Sequence, residues 1–272
     1  MANKKMNDIS RIGFRFSKGS AHTSRTMMLG ELRLLLSYVG SLDATQTDYR
    51  KAVEEDNCLC KRSGKNRELS WRYLSYLYSF DPSIAIFRSL LYFWNRDIDG
   101  QPLLAVMCAY GRDALLRTSA PFIMSFKEGE MVSRQALEEF IGYKDPGHFS
   151  MATLKSMAQN LNATWTKSGH LTGKAKKIRS RAKATPGSVA YALFLGYLNG
   201  ARGEALFTTE YARLLDCQKE RAIELAEAAS RSGWIVFKRI GNVVEVRFPN
   251  LLAAQEGEWI REQDQTAHKI IQ

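Results

Sequence analysis

FTTEYARLLDCQKERAIELAEAASRSGWIVFKRIGNVVEVRF, residues 207–248, is the stretch that decides the fold. Phe207-Thr208-Thr209 opens a helix, with Thr208 or Thr209 as its N-cap, that runs to about Asp216. A short turn at Cys217 leads into a second helix from about Gln218 to Arg231, stopped by Gly233. Ala222, Leu225, Ala226 and Ala229 share one face of it. The apolar repeat then changes from the helical value of about 3.6 residues to the strand value of about two. Trp234 to Arg239 and Val243 to Phe248 are β-prone runs around Gly241-Asn242, a tight hairpin signal. Residues 187–199 predict one more helix upstream. Helix, helix, helix and hairpin in this order predict a winged-helix-like module. In such a module the last helix enters the major groove by its N-terminus. That end offers Gln218, Lys219 and Arg221, and the hairpin offers Lys238, Arg239 and Arg247 to phosphates. Glu220, Glu224 and Glu227 on the same helix oppose a DNA role, and many modules of this shape dock on protein instead.

Upstream of this module the pattern is helical throughout. Residues 24–39, 44–56 and 64–80 predict helices, the last with Leu69, Tyr73, Leu74, Tyr76 and Leu77 at core spacing. Asp81-Pro82 predicts the start of another, striped by Ile84, Phe87, Leu90, Leu91 and Trp94. Pro102, Pro121, Pro146 and Pro186 are expected to mark helix starts in the same way. The fold expected is mostly α: an N-terminal helical bundle over 1–168 with a basic arm, a basic connector over 169–185, the winged-helix-like module over 186–252, and a tail over 253–272.

The net charge of +11 is unevenly spread. Residues 165–183 hold Lys167, Lys174, Lys176, Lys177, Arg179, Arg181 and Lys183 and no acid. Residues 1–30 hold Lys4, Lys5, Arg11, Arg15, Lys18 and Arg25 against Asp8 alone. Residues 57–72 hold Lys61, Arg62, Lys65, Arg67 and Arg72 against Glu68 alone. Patches of one sign concentrate a polyanion and steer its approach, so double-stranded DNA is the partner expected of these cations.

Other classes are poorly supported. The chain has no P-loop, no H-E-x-x-H and no G-x-S-x-G, and no catalytic residue is assigned. Glu245-Val246-Arg247 is explained more simply by a hairpin than by a nuclease element. Cys58, Cys60, Cys108 and Cys217 lack disulfide or zinc spacing, and His22, His148, His170 and His268 are isolated. No metal, cofactor or small-molecule substrate is expected. No charge-poor run reaches a membrane span, and Asp8, Arg11 and Arg15 interrupt any signal-like segment. A soluble cytoplasmic protein is expected.

Three segments carry a family resemblance. Phe16-Ser17-Lys18-Gly19-Ser20 precedes an apolar helix, and Glu55-x-Asn57-x-Leu59-x-x-Arg62-Ser63 precedes an aromatic helix containing Arg. A helix spanning His148-Phe149-Ser150 to Lys155 is followed by Ser168-Gly169-His170-Leu171. Over residues 14–252 the chain resembles the BrxA proteins of BREX phage-defence systems. The resemblance implies a helical core like that of the antitermination factor NusB, DNA binding, and a role beside other BREX components. It points to residues 61–72 and the N-terminal arm as contacts. The basic run and the hairpin-bearing C-terminus are departures from that family. A winged-helix transcriptional regulator, a protein–protein adaptor with an acidic partner, and an RNA-binding factor remain open as alternatives.

Overall fold

The computed structural model describes residues 11–17, 19–241, 243–253, 256–258 and 260. It is mostly helical with a C-terminal two-stranded antiparallel hairpin, as the patterning predicts. No helix among the described residues is long and apolar enough to cross a membrane. The chain forms two compact units. One comprises residues 15–82 and 105–183, the other the described residues of 11–14, 83–104 and 184–260. The division therefore cuts across the expected bundle, because residues 83–104 join the C-terminal module.

The unit of 15–82 and 105–183 is built on capped helices. Helix α1 (Leu29–Val39) buries Leu29, Leu32, Leu35 and Leu36. Helix α2 (Gln46–Glu54) opens on a capping box between Thr45 and Asp48. Helix α3 (Gly64–Tyr78) is capped by Ser63, whose hydroxyl accepts from the Asn66 N–H, and buries Leu74, Leu77 and Tyr78. Further along lie α5 (Gln101–Tyr110), α6 (Ala114–Met124), α7 (Arg134–Lys144) and α8 (Met151–Lys167). The chain passes from one unit to the other within α5. Ser133 and Ser150 cap α7 and α8. Trp165 of α8 is fully buried and donates from its ring nitrogen to Ser119 Oγ at 3.0 Å.

A three-stranded sheet completes this unit, and it includes the stretch expected to be a connector. Strands β1 (Met131–Val132), β2 (Leu171–Thr172) and β3 (Lys177–Arg179) pair antiparallel in the order β1-β3-β2. Strands of two or three residues are too short to show period-two patterning, and the basic composition is all that the sequence displays there.

The other unit centres on α9 (Pro186–Leu198), buried nearly all round. Pro186 is its first residue and Thr185 its cap. Helix α4 (Ala85–Trp94) joins it through the Tyr191 hydroxyl, which donates to the Ile86 carbonyl at 3.1 Å. Asp97 ties the start of α9 to the preceding loop, accepting from the N–H of Gly187 at 2.7 Å and of Gly100 at 3.1 Å. A Cβ at Gly187 would lie 2.5 Å from the Asp97 carboxylate, so only glycine fits there. A 3-10 turn (Gly203–Thr208), α10 (Glu210–Arg213), α11 (Lys219–Arg231), β4 (Val236–Ile240) and β5 (Val243–Arg247) follow. Thr209 caps α10, which is one turn long, shorter than the helix read to Asp216. Phe237 packs on Phe207, and Phe248 on Phe194 and Tyr197, seating the hairpin on its helices.

Three proline expectations change. Pro82 precedes α4 without starting it, since Ile84 is the cap. Pro121 lies inside α6. Pro146 sits in the turn between α7 and α8. A proline costs nothing where its missing N–H has no helical partner, but side-chain packing can hold it elsewhere.

Candidate nucleic-acid interface

The densest array of cations and rings lies on α3 and the stretch that crosses it. Arg15 stacks on Tyr76, 4.9 Å from the ring centroid. Arg25 and Arg72 both lie over Tyr73, at 5.3 and 5.0 Å. Arg117 lies 5.3 Å from the Phe16 ring. Arg62 and Lys65 are exposed at the start of α3 and Arg72 two turns further on. The Ser24 side chain, then Arg72 and Arg25, hold the Tyr73 phenol below its ordinary pKa. Burial and the Asp113 charge push Tyr76 up. Beside Tyr76 runs a groove of ≈ 490 Å³ in which Arg15, Arg50 and Arg72 face Glu54 and Glu68.

One buried carboxylate positions the crossing stretch. Asp113, the cap of α6, accepts from the Leu116 N–H at 3.0 Å, the Ala21 N–H at 2.7 Å and the Ser20 hydroxyl at 2.7 Å. His22 Nδ1 lies 3.1 Å from it, and His22 Nε2 is 2.9 Å from Thr164 Oγ1. Burial raises the Asp113 pKa, but His22 and these hydrogen bonds outweigh it and hold the carboxyl below its usual range. Ser20, His22 and Asp113 are residue types of a hydrolase triad. Here the Ser20 hydroxyl donates to the aspartate and accepts from the His22 backbone N–H rather than engaging the imidazole, and both His22 and Asp113 are wholly buried, so the arrangement serves the fold. Tyr76 completes the tether by donating to the Gly19 carbonyl at 2.5 Å.

Not every cation of this cluster is displayed. Lys61 is half-buried and pairs with Glu31 at 3.2 Å. Arg67 is half-buried and donates to the Glu55 carbonyl at 3.4 Å. Both already have partners within the protein. Lys167 reaches Thr26 Oγ1 at 3.1 Å, next to Arg25. Lys18, Lys4 and Lys5 lie outside the described residues.

The second basic segment splits in the same way. Lys174 and Lys176 are exposed on the β2–β3 turn, and Lys177 is half-buried with its ammonium on the Gly173 carbonyl at 2.6 Å. Burial lowers the Lys177 pKa. Arg181 pairs with Glu128 at 3.0 Å, both exposed, and Lys183 is exposed. Arg179 is buried and donates to the carbonyls of His170 and Ser180. The expectation that Arg179 meets phosphate is therefore corrected. A guanidinium with backbone carbonyls for partners braces the strands.

In the other unit, Arg11 is exposed. Gln218 caps α11, but Lys219 pairs with Glu204, and Arg221 pairs with Glu224 at 2.7 Å. The hydrogen bond and charge of Lys219 hold Glu204 below the usual carboxylate range. Lys238 and Arg239 are exposed on β4, and Arg239 donates to the Gly241 carbonyl at 3.1 Å. Ile240 pairs with Val243, leaving a two-residue turn. Gly241 there has φ +58°, as a tight hairpin needs, while Asn242 lies outside the described residues.

Tyr73 and Tyr76 are the site residues that spacing concealed. Their positions fit a core stripe, and only the chain's return past α3 shows that they carry arginines instead. No family model and no curated protein matches this chain.

Proposed function

We propose that this chain is a non-enzymatic protein that binds double-stranded DNA through its phosphates. The observation that carries the reading is the stacking of Arg15, Arg25 and Arg72 on Tyr76 and Tyr73, beside exposed Arg62 and Lys65. Stacking restrains the guanidiniums, so less side-chain entropy is lost when each meets a phosphate. Proteins that hold single strands leave aromatic faces open for bases. Here the two half-buried rings are covered by arginine, which favours backbone contact over base stacking. The resemblance to BrxA supports a place in the cytoplasm beside other components of a BREX anti-phage system.

The pairing of Lys219 with Glu204 and of Arg221 with Glu224 favours a second reading for the C-terminal module alone. Its helix N-terminus is already neutralised by the chain's own acids, which suits a protein partner better than a major groove.

The test is fluorescence anisotropy with duplex DNA, single-stranded DNA and RNA of equal length, on the native chain and on Arg15→Ser/Arg25→Ser/Arg72→Ser. The reading expects the duplex to bind tightest and the triple variant to weaken it by about tenfold or more. Equal binding by the variant would overturn it.

A further inference from the structure

The hairpin of β4 and β5 ends in two apolar side chains that the fold leaves in water. Ile240 is 83% exposed and Val243 73%. They pair across the strands on either side of the turn, so both stand on one face, the face of Lys238 two residues back. The opposite face is the one seated on the helices, where Phe237, Val244 and Val246 are buried. Strand formation alone does not ask for this pair, because threonine is also β-branched and carries a hydroxyl for solvent. The charge around the pair is positive. Lys238 and Arg239 are exposed, and Arg239 is held toward the tip by the Gly241 carbonyl at 3.1 Å. Glu245, the one acid of the two strands, is occupied by Arg247 at 3.0 Å.

We propose that this tip is a wedge for the minor groove of duplex DNA. Ile240, backed by Val243, enters between two base pairs, Lys238 and Arg239 meet the phosphates beside them, and the duplex kinks. The wedge presupposes the DNA binding proposed above. It uses the hairpin rather than α11, whose N-terminus is neutralised by Glu204 and Glu224. An apolar point flanked by cations is complementary to a polyanion whose interior is a stack of rings. Apolar side chains, isoleucine among them, unstack a base step in this way and bend the duplex by about 20–90°. A bilayer is a poorer fit, because two side chains bury too little apolar area to hold a protein there. The cost of unstacking depends on the step, and TpA is among the easiest to open. The wedge therefore confers a sequence preference without a hydrogen bond to any base edge.

Energy transfer between dyes at the two ends of a duplex of about 25 base pairs reads the kink. The full chain should raise the transfer, since a bend of about 20° or more brings the ends together. It should also bind a duplex with a central TpA step about threefold or more tightly than one of the same composition with a central ApT step. Ile240→Thr/Val243→Thr keeps the β-branching and should keep the native melting temperature, yet lose both the rise in transfer and the preference. No duplex binding by the native chain sinks the DNA reading and the wedge with it. Tight binding to a duplex that stays straight overturns the wedge alone, leaves the phosphate contacts standing, and assigns the exposed pair to a protein partner. A bend that survives in the double variant overturns it as well. Equal native affinity for the two central steps does the same, and that comparison needs no variant, so it decides the matter should the double variant fail to fold.

Discussion

Arg179 donates from Nη1 to the carbonyl of His170, 3.2 Å away, across the β2–β3 pair. His170 is itself wholly buried beneath it, edge-on to Trp165 at 5.0 Å between ring centroids. One cation of a run that composition marks for a polyanion is thus turned inward, while Lys174 and Lys176, a few residues away, face solvent.

This split separates two kinds of variant. Arg179→Ala should destabilise the chain by about 1–3 kcal/mol, because it removes a buried guanidinium that donates to the His170 and Ser180 carbonyls. Lys174→Ser/Lys176→Ser should shift stability by less than about 0.5 kcal/mol. Thermal melts of the two, at equal salt, check the difference. Equal melting temperatures would mean that Arg179 contributes nothing to the sheet.

What the sequence made legible divides along similar lines. The α11 span, the hairpin and the glycine at its turn could be read because periodicity over a dozen residues and a two-residue turn are local signals. The caps at Ser63, Thr185 and Thr209 are local too. The β1–β3 pairing was not legible, since it joins Met131 to Ile178 through strands too short to show a repeat. The Arg15–Tyr76 stack was hidden for the same reason, its partners being far apart in the chain. Charge counting found Arg62, Lys65 and Arg72 but could not tell them from Lys61 and Arg67, which the fold occupies.

The wing offers a conformational test. Gly241→Val places a β-branched residue at φ +58° and should cost about 1–2 kcal/mol. Lys238→Ala/Arg239→Ala should leave the melt unchanged, as both side chains are exposed. Should the hairpin touch DNA, that pair should weaken binding to all sequences alike, because phosphate contacts carry no base information. Normal DNA binding by this variant and by Lys219→Ala/Arg221→Ala together would assign the module to a protein partner.

Asp113 makes stability depend on pH. Its folded pKa is depressed, so it contributes stability above the unfolded carboxylate value of about 3.9 and loses it as pH falls through the lower folded value. Asp113→Asn should therefore flatten the acid limb of a pH–melting curve below about pH 5. It should also cost about 1–3 kcal/mol near neutrality by weakening the hydrogen bonds that the carboxylate accepts from the Ala21 and Leu116 N–H groups and the Ser20 hydroxyl. An acid limb identical to that of the native chain would remove Asp113 from this role.

The most direct test of the central claim is a salt series with one mixed-sequence duplex and the native chain. If arginines and lysines on α3 and the β2–β3 turn meet phosphates, log affinity falls linearly with log salt, by about 0.9 per contact. Five or more contacts from Arg15, Arg25, Arg62, Lys65, Arg72, Lys174 and Lys176 set a slope of about −4 or steeper. A slope near zero, or no binding at low salt, would contradict phosphate-dominated DNA binding by this chain.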